Sequence, residues 1–189
     1  MGGQPACLAV VMGVSGCGKS TVGALLAEAL GAAYLEGDDL HPPGNVARMA
    51  AGTPLTDDDR RDWLLAIAQR IATARAERRG LVVSCSALKR HYRDTLRSAA
   101  PELAFVHLSA EAAVLAERVR TRAHAYMPAS LLASQLQTLE APGLDERAAT
   151  FEATLPPAAI AAQAAAWLRA PTHAPGHAAP SCSSPETTR

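Results

Sequence analysis

The residues with the clearest chemical consequence are Gly13-Val14-Ser15-Gly16-Cys17-Gly18-Lys19-Ser20. Their spacing is G-x-x-x-x-G-K-[ST] in full, the pattern of a loop that wraps a phosphate. Glycines let such a loop curl with its N–H groups turned inward, where bulky residues would block the anion. A helix opening near Gly18 aims its positive end at the same anion. Lys19 reaches the β- and γ-phosphates of a nucleotide, and the Ser20 hydroxyl can ligate Mg²⁺. Thr21, one residue further, is placed for the α-phosphate. Cys17 reads as a tolerated small residue between glycines.

Two more clusters supply groups for an acceptor. The first is Glu36-Gly37-Asp38-Asp39-Leu40-His41-Pro42. A carboxylate there can take the proton of an attacking hydroxyl or hold Mg²⁺ through water. The second runs from Cys85-Ser86-Ala87-Leu88-Lys89 to Arg93. Ser86 is a polar group just past an apolar run. Lys89 and Arg93 are four apart, so on a helix they share a face and can clamp an anion.

These clusters must be positioned by the elements around them. Leu8 to Met12 is a continuous apolar run, as in a strand buried on both faces. Val22, Leu25, Leu26, Ala29 and Leu30 then recur at helical spacing until Gly31. Ala33–Leu35, Leu81–Cys85 and Phe105–Leu108 read as further strands, and Phe151–Leu155 as a weaker fifth. Helical patterns start near Asp58, carry Tyr92 and Leu96, and cover Glu111–Arg120, Pro128–Thr138 and an Ala-rich stretch through Trp167. Residues 37–57 are rich in Gly, Pro, Asp and His, which predicts an irregular region with a short helix around Val46–Ala51. Strands alternating with helices imply an α/β fold with a parallel sheet and right-handed crossovers. The three clusters then fall outside the carboxyl ends of the strands, where open parallel sheets bind ligands. Residues 171–189 lack periodicity and are expected to be a disordered tail after one domain spanning 1–170.

Bulk properties narrow the partners. Basic and acidic residues number 18 each, so no charge excess points to nucleic acid or a membrane surface. The run Asp57-Asp58-Asp59-Arg60-Arg61 changes sign within a few residues and reads as a solvated helix start. The four cysteines, at 7, 17, 85 and 182, form no CxxC pair, which fits a reducing cytosol. No apolar run approaches the roughly 18 residues of a membrane span. The opening residues lack a basic segment followed by a hydrophobic one, and a cytoplasmic location is expected.

Taken together, the motifs resemble the gluconokinase family. The likeness is carried by Met12 to Thr21, by Gly37-Asp38-Asp39-Leu40-His41-Pro42 with Asn45 and Met49, and by Gly52-Thr53-Pro54-Leu55-Thr56-Asp57-Asp58-Asp59-Arg60. It continues through Trp63-Leu64, Cys85-Ser86-Ala87-Leu88-Lys89, Tyr92-Arg93-Asp94 and Thr138-Leu139-Glu140, and so spans about residues 8–169. The resemblance implies a P-loop NTPase fold, a five-stranded parallel sheet flanked by helices like that of shikimate and nucleoside-monophosphate kinases. It implies a lid over the nucleotide at about residues 118–128, and a homodimer. The implied reaction transfers the γ-phosphoryl of ATP, with Mg²⁺, to the 6-hydroxyl of D-gluconate.

By the same analogy Asp38 contacts the reacting hydroxyl, and Lys19 and Arg122 act on the transferred group. Arg118 joins the loop residues on ATP, and Ser20 and Glu36 serve Mg²⁺. His41, Arg48, Arg60, Ser86, Lys89 and Arg93 line the gluconate pocket; Arg60 rests on the likeness to shikimate kinases. The chain departs from the pattern at Ala123-His124-Ala125-Tyr126, where relatives tend to carry Gly-His-Phe, and His124 reads as an exposed loop histidine. Competing readings are a kinase for another hydroxylated acid such as shikimate, and an ATP-binding regulatory module without an acceptor.

Overall fold

The computed structural model describes residues 6–121 and 129–170 of the chain. Five strands, β1 (Leu8–Met12), β2 (Ala33–Glu36), β3 (Leu81–Ser84), β4 (Ala104–Ser109) and β5 (Ala148–Glu152), form one parallel sheet in the order β2-β3-β1-β4-β5. Among the described residues seven helices flank it: α1 (Lys19–Leu30), α2 (Pro43–Ala50), α3 (Asp57–Ala76), α4 (Arg90–Ala99), α5 (Ala112–Thr121), α6 (Ala129–Thr138) and α7 (Pro157–Arg169). The central strand β1 is buried along its whole length, as its unbroken apolar run requires.

Alternate residues of β1 feed two cores, one on each side. Ala9 and Val11 join Val106 and Leu108 beneath Val22 and Leu26 of α1 and Ile160, Ala164 and Leu168 of α7. Val10 and Met12 join Val83 and Phe105 beneath Trp63, Ile67 and Ile71 of α3 and Tyr92 and Leu96 of α4. Each such large side chain, taken fully out of water, contributes roughly 1.5–3 kcal/mol. Helix α3 starts at a capping box, in which the Thr56 hydroxyl accepts from Asp59 N–H and the Asp59 carboxylate accepts from Thr56 N–H. None of the helices among the described residues is long and apolar enough to cross a membrane.

Two boundaries differ from the sequence pattern. β5 begins at Ala148, three residues ahead of the expected Phe151. It is an edge strand of half-buried and exposed residues, so its period is faint, and Leu155 lies beyond it, partly exposed. The irregular region from Gly37 holds a 3₁₀ turn (Gly37–Leu40), and α2 starts at Pro43 rather than Val46. Proline at the first helical position needs no N–H partner there, which explains the earlier start. The expected lid overlaps the described residues only through Thr121; Arg122, His124 and the tail from 171 lie outside them.

Candidate active site

The phosphate loop connects β1 to α1 at the carboxyl edge of the sheet. Gly13 has φ +139, and a Cβ there would stand 2.6 Å from the Leu108 carbonyl oxygen, so only glycine lets the loop turn this tightly against β4. Gly13 N–H donates to the Ser86 carbonyl at 3.3 Å, which ties the loop to the turn after β3. Cys17 is buried among apolar residues of the α1/α7 core. Ser20 and Thr21 are exposed at the start of α1. The Lys19 ammonium donates to the Val14 carbonyl at 3.2 Å, folded back over its own loop.

Glu36 ends β2 opposite Ser84 of β3. Its carboxylate accepts from the Ser84 hydroxyl and from the Tyr34 hydroxyl at 2.8 Å. Burial pushes its pKa up, but hydrogen bonds from Ser20, Ser84 and Tyr34 outweigh that and hold it below the usual carboxylate value. The same surroundings push the Tyr34 phenol up to about 12, chiefly by burial. An ionised carboxylate therefore stands beside the loop's terminal hydroxyl.

Asp38 follows on the 3₁₀ turn. Its carboxyl is raised above the ordinary aspartate value, chiefly because protein crowds it, while the Lys19 and Arg60 cations pull the other way. Its side chain is nevertheless 57% exposed. Gly37 sits so close to the Ser84 carbonyl that a Cβ would collide with it, which fixes where the turn begins. His41 stacks on Trp63 with ring centroids 4.1 Å apart, and the Trp63 indole N–H donates to the Gly37 carbonyl at 2.7 Å. Burial and the Arg60 charge push His41 down to about 4, so it is neutral at physiological pH. Its Nε2 lies 3.9 Å from Asp38, and its buried Nδ1 has no hydrogen-bond partner among the described residues.

The remaining acceptor candidates divide. Arg60 lies 5.9 Å above the Tyr92 ring. Lys89 bonds both oxygens of Asp57 at 2.7 and 2.8 Å and keeps part of its surface exposed. Arg48 is exposed beside Asp59 at 3.3 Å. Ser86 is half-buried in the turn that meets Gly13.

Arg93 departs from the expected anion clamp. Its side chain is 1% exposed, and its guanidinium is engaged by both Glu146 oxygens at 2.7 and 2.8 Å and by the carbonyls of Ala87, Leu88 and Glu140. Lys89 caps α4 while Arg93 points into the protein, so the two do not share an exposed face. The Arg93–Glu146 pair instead holds the turn around Ala87, whose φ of +44 is unfavourable for a residue with a Cβ. Arg118, expected at the nucleotide, lies against Gly16 and donates to the Ala153 carbonyl at 2.9 Å.

The sequence pattern does not mark Tyr34, Ser84, Asp57, Gln135 or Glu146 as partners of the site. The i, i+2 spacing of Tyr34 and Glu36 was a readable hint that they share a strand face. Partners such as Glu146 and Gln135 come from distant segments and left no local signature. Among the described residues no cluster of three or more His, Cys, Asp or Glu side chains is arranged to hold a metal ion.

A parallel sheet with the phosphate loop after its central strand, and polar groups at the neighbouring strand ends, is the arrangement of a phosphate-loop kinase. The chain matches the AAA domain family over residues 8–142. It is 50% identical to the gluconokinase of Gluconobacter oxydans (strain 621H) over 146 residues, 77% of this chain and 82% of that one. It is 43% identical to the thermoresistant gluconokinase of Escherichia coli (strain K12), over 72% of this chain and 78% of that one. The crystal structure of a gluconokinase from Sinorhizobium meliloti 1021 superposes with a TM-score of 0.79 at 51% identity, covering 88% of this chain and 93% of that one. The chain belongs to the gluconokinase family.

Proposed function

We propose that this enzyme transfers the γ-phosphoryl of ATP to the 6-hydroxyl of D-gluconate, giving 6-phospho-D-gluconate and ADP. The observation that carries the reading is the way the phosphate loop meets the strand ends beside it: Gly13 N–H donates to the Ser86 carbonyl at 3.3 Å, and the 3₁₀ turn that carries Asp38 starts at Gly37, packed on the Ser84 carbonyl. Phosphoryl transfer asks the protein for positioning and charge neutralisation more than for covalent chemistry. The loop amides and Lys19 would hold the β- and γ-phosphates. Lys19 would leave the Val14 carbonyl to do so, exchanging a neutral acceptor for a charged one.

Asp38 would accept the proton of the attacking hydroxyl. Burial raises its pKa, which makes its carboxylate a stronger base than an ordinary aspartate. Neutral His41, stacked on Trp63, would line the gluconate pocket through its Nε2 side, 3.9 Å from Asp38. Arg60 and Lys89 would bind the gluconate carboxylate, with Ser86 and Arg48 lining the cleft. Arg93 would act only through the turn it holds. Arg118 and Arg122 would stand on the nucleotide side.

The residues fit Mg²⁺, because an exposed Ser20 hydroxyl stands beside the ionised Glu36 carboxylate. Ser20 would ligate it, and Glu36 would hold it through water. When bound, the ion would neutralise charge on the phosphates. On the same reading the enzyme is a cytoplasmic homodimer with residues 1–170 as the kinase domain. ADP release measured with D-gluconate, other sugar acids, shikimate or no acceptor tests the function. Release should depend on D-gluconate; equal release without acceptor, or preference for shikimate, would overturn it.

A further inference from the structure

The phosphate loop is braced from outside by a residue that the proposed reaction does not use. Ser15 N–H donates at 2.7 Å to the side-chain carbonyl Oε1 of Gln135, 120 positions away in the sequence. Gln135 is only 7% exposed. Helix α6 is seated on either side of it, since Leu132 packs in the same core as Val14, Cys17 and Val119, and Leu136 packs against that core. Helix α5 walls the loop next door: a Cβ on Gly16 would lie 2.9 Å from the Val119 side chain and 3.2 Å from the Leu115 carbonyl.

Ser15 lies between Gly13 and Gly16, both at positive φ, so the local backbone has little stiffness of its own. We propose that Gln135 is a positioning residue for the nucleotide, a neutral brace that fixes Ser15 from α6 and thereby sets which loop amides face the phosphates. A loop amide that pairs with Gln135 is withdrawn from the anion site, and the amides that follow are held in one register. Carboxamide chemistry suits the task. It satisfies a buried N–H without bringing a negative charge towards the phosphates, which a carboxylate of the same shape would do.

This inference rests on the loop binding ATP, so the test separates the two. Mg·ATP affinity by calorimetry, thermal unfolding without nucleotide, and KM for each substrate are compared for the wild-type chain, Gln135→Leu and Gln135→Glu. The leucine variant, similar in volume, should unfold within a few degrees of wild type and keep its KM for D-gluconate. Its Kd for Mg·ATP should rise about ten-fold, the size expected of one lost hydrogen bond. The glutamate variant keeps the acceptor, so its unfolding temperature should not change, yet it should bind Mg·ATP about ten-fold or more weakly. Wild-type affinity in either variant would overturn the proposal. So would a parallel loss of stability and of both KM values in Gln135→Leu, the mark of a purely structural residue. Failure of the wild-type chain to bind Mg·ATP would overturn the loop's assignment together with the brace; normal wild-type binding with unaffected variants would overturn the brace alone.

Discussion

The phosphate loop and the proposed acceptor residues meet at one sheet edge but are built in opposite ways. The phosphate loop is eight consecutive residues whose working groups are mostly backbone amides, and its shape follows from glycines at fixed intervals. The proposed acceptor residues are Asp38 from a 3₁₀ turn, Arg60 from α3 and Ser86 and Lys89 from the turn after β3. Their side chains are held by partners far away in sequence: Asp57 for Lys89, Trp63 for His41, and the Arg93–Glu146 pair for the turn itself. A backbone site is therefore specified by spacing, and a side-chain site by packing. Substitutions on the first should cost chemistry with little stability, whereas those on the second should mix the two.

The largest expected effect is on the nucleotide side. Lys19→Ala should lower turnover by roughly 10³-fold, the scale of losing a charge that stabilises the transition state, with the thermal unfolding temperature nearly unchanged. Near-normal turnover would break the contrast.

Next is Arg93→Met, which leaves the buried Glu146 carboxylate with only Arg97 at 3.1 Å and Gly143 N–H at 2.8 Å and should cost about 3 kcal/mol in urea unfolding. A selective rise in the KM for D-gluconate with stability intact would return Arg93 to the anion clamp that sequence spacing predicts. Glu146 is pushed up by burial, but bonds from Arg93 and Gly143 N–H outweigh this and leave it below the ordinary glutamate value. Its contribution is thus present above the unfolded-state pKa and lost as pH falls through the folded one. Acid unfolding of wild type should therefore be steeper than that of Glu146→Gln.

Asp38→Asn should lower kcat by about 10²-fold while leaving Mg·ATP affinity unchanged. Because the Asp38 pKa is raised in the folded state, its favourable contribution to stability is present below the unfolded-state pKa and lost as pH rises through the folded one. At neutral pH the variant should then be slightly more stable than wild type, as thermal unfolding would reveal. The acid limb of kcat/KM in wild type should lie above the usual aspartate range. The smallest effect is expected for Glu102→Gln, which removes the exposed Arg75–Glu102 pair; its change should stay within about 0.5 kcal/mol and serve as the surface control for Arg93–Glu146.

The same contrast explains what could be read from the sequence. The loop, the strand before it and the helix after it are local patterns, and the structure has them where spacing predicts. Glu36 and Asp38 were legible as polar groups at a strand end. Arg93 was misread because an i, i+4 rule sees the helix face but not the Glu146 carboxylate that fills it. Asp57 read as part of a solvated helix start, yet it anchors Lys89 and accepts from the Tyr92 hydroxyl at 2.5 Å. β5 was shifted because an edge strand has no buried face on both sides to sharpen its period.

The most direct measurement is assignment of the phosphorylated carbon after ATP turnover with D-gluconate, by ³¹P-coupled ¹³C NMR, with ADP quantified in the same sample. Phosphorus on C6, formed in one-to-one ratio with ADP and lost in Lys19→Ala, is the predicted result. An ester at another carbon, or ADP formed without ester, would contradict an acceptor hydroxyl held at Asp38 beside the loop's terminal phosphate.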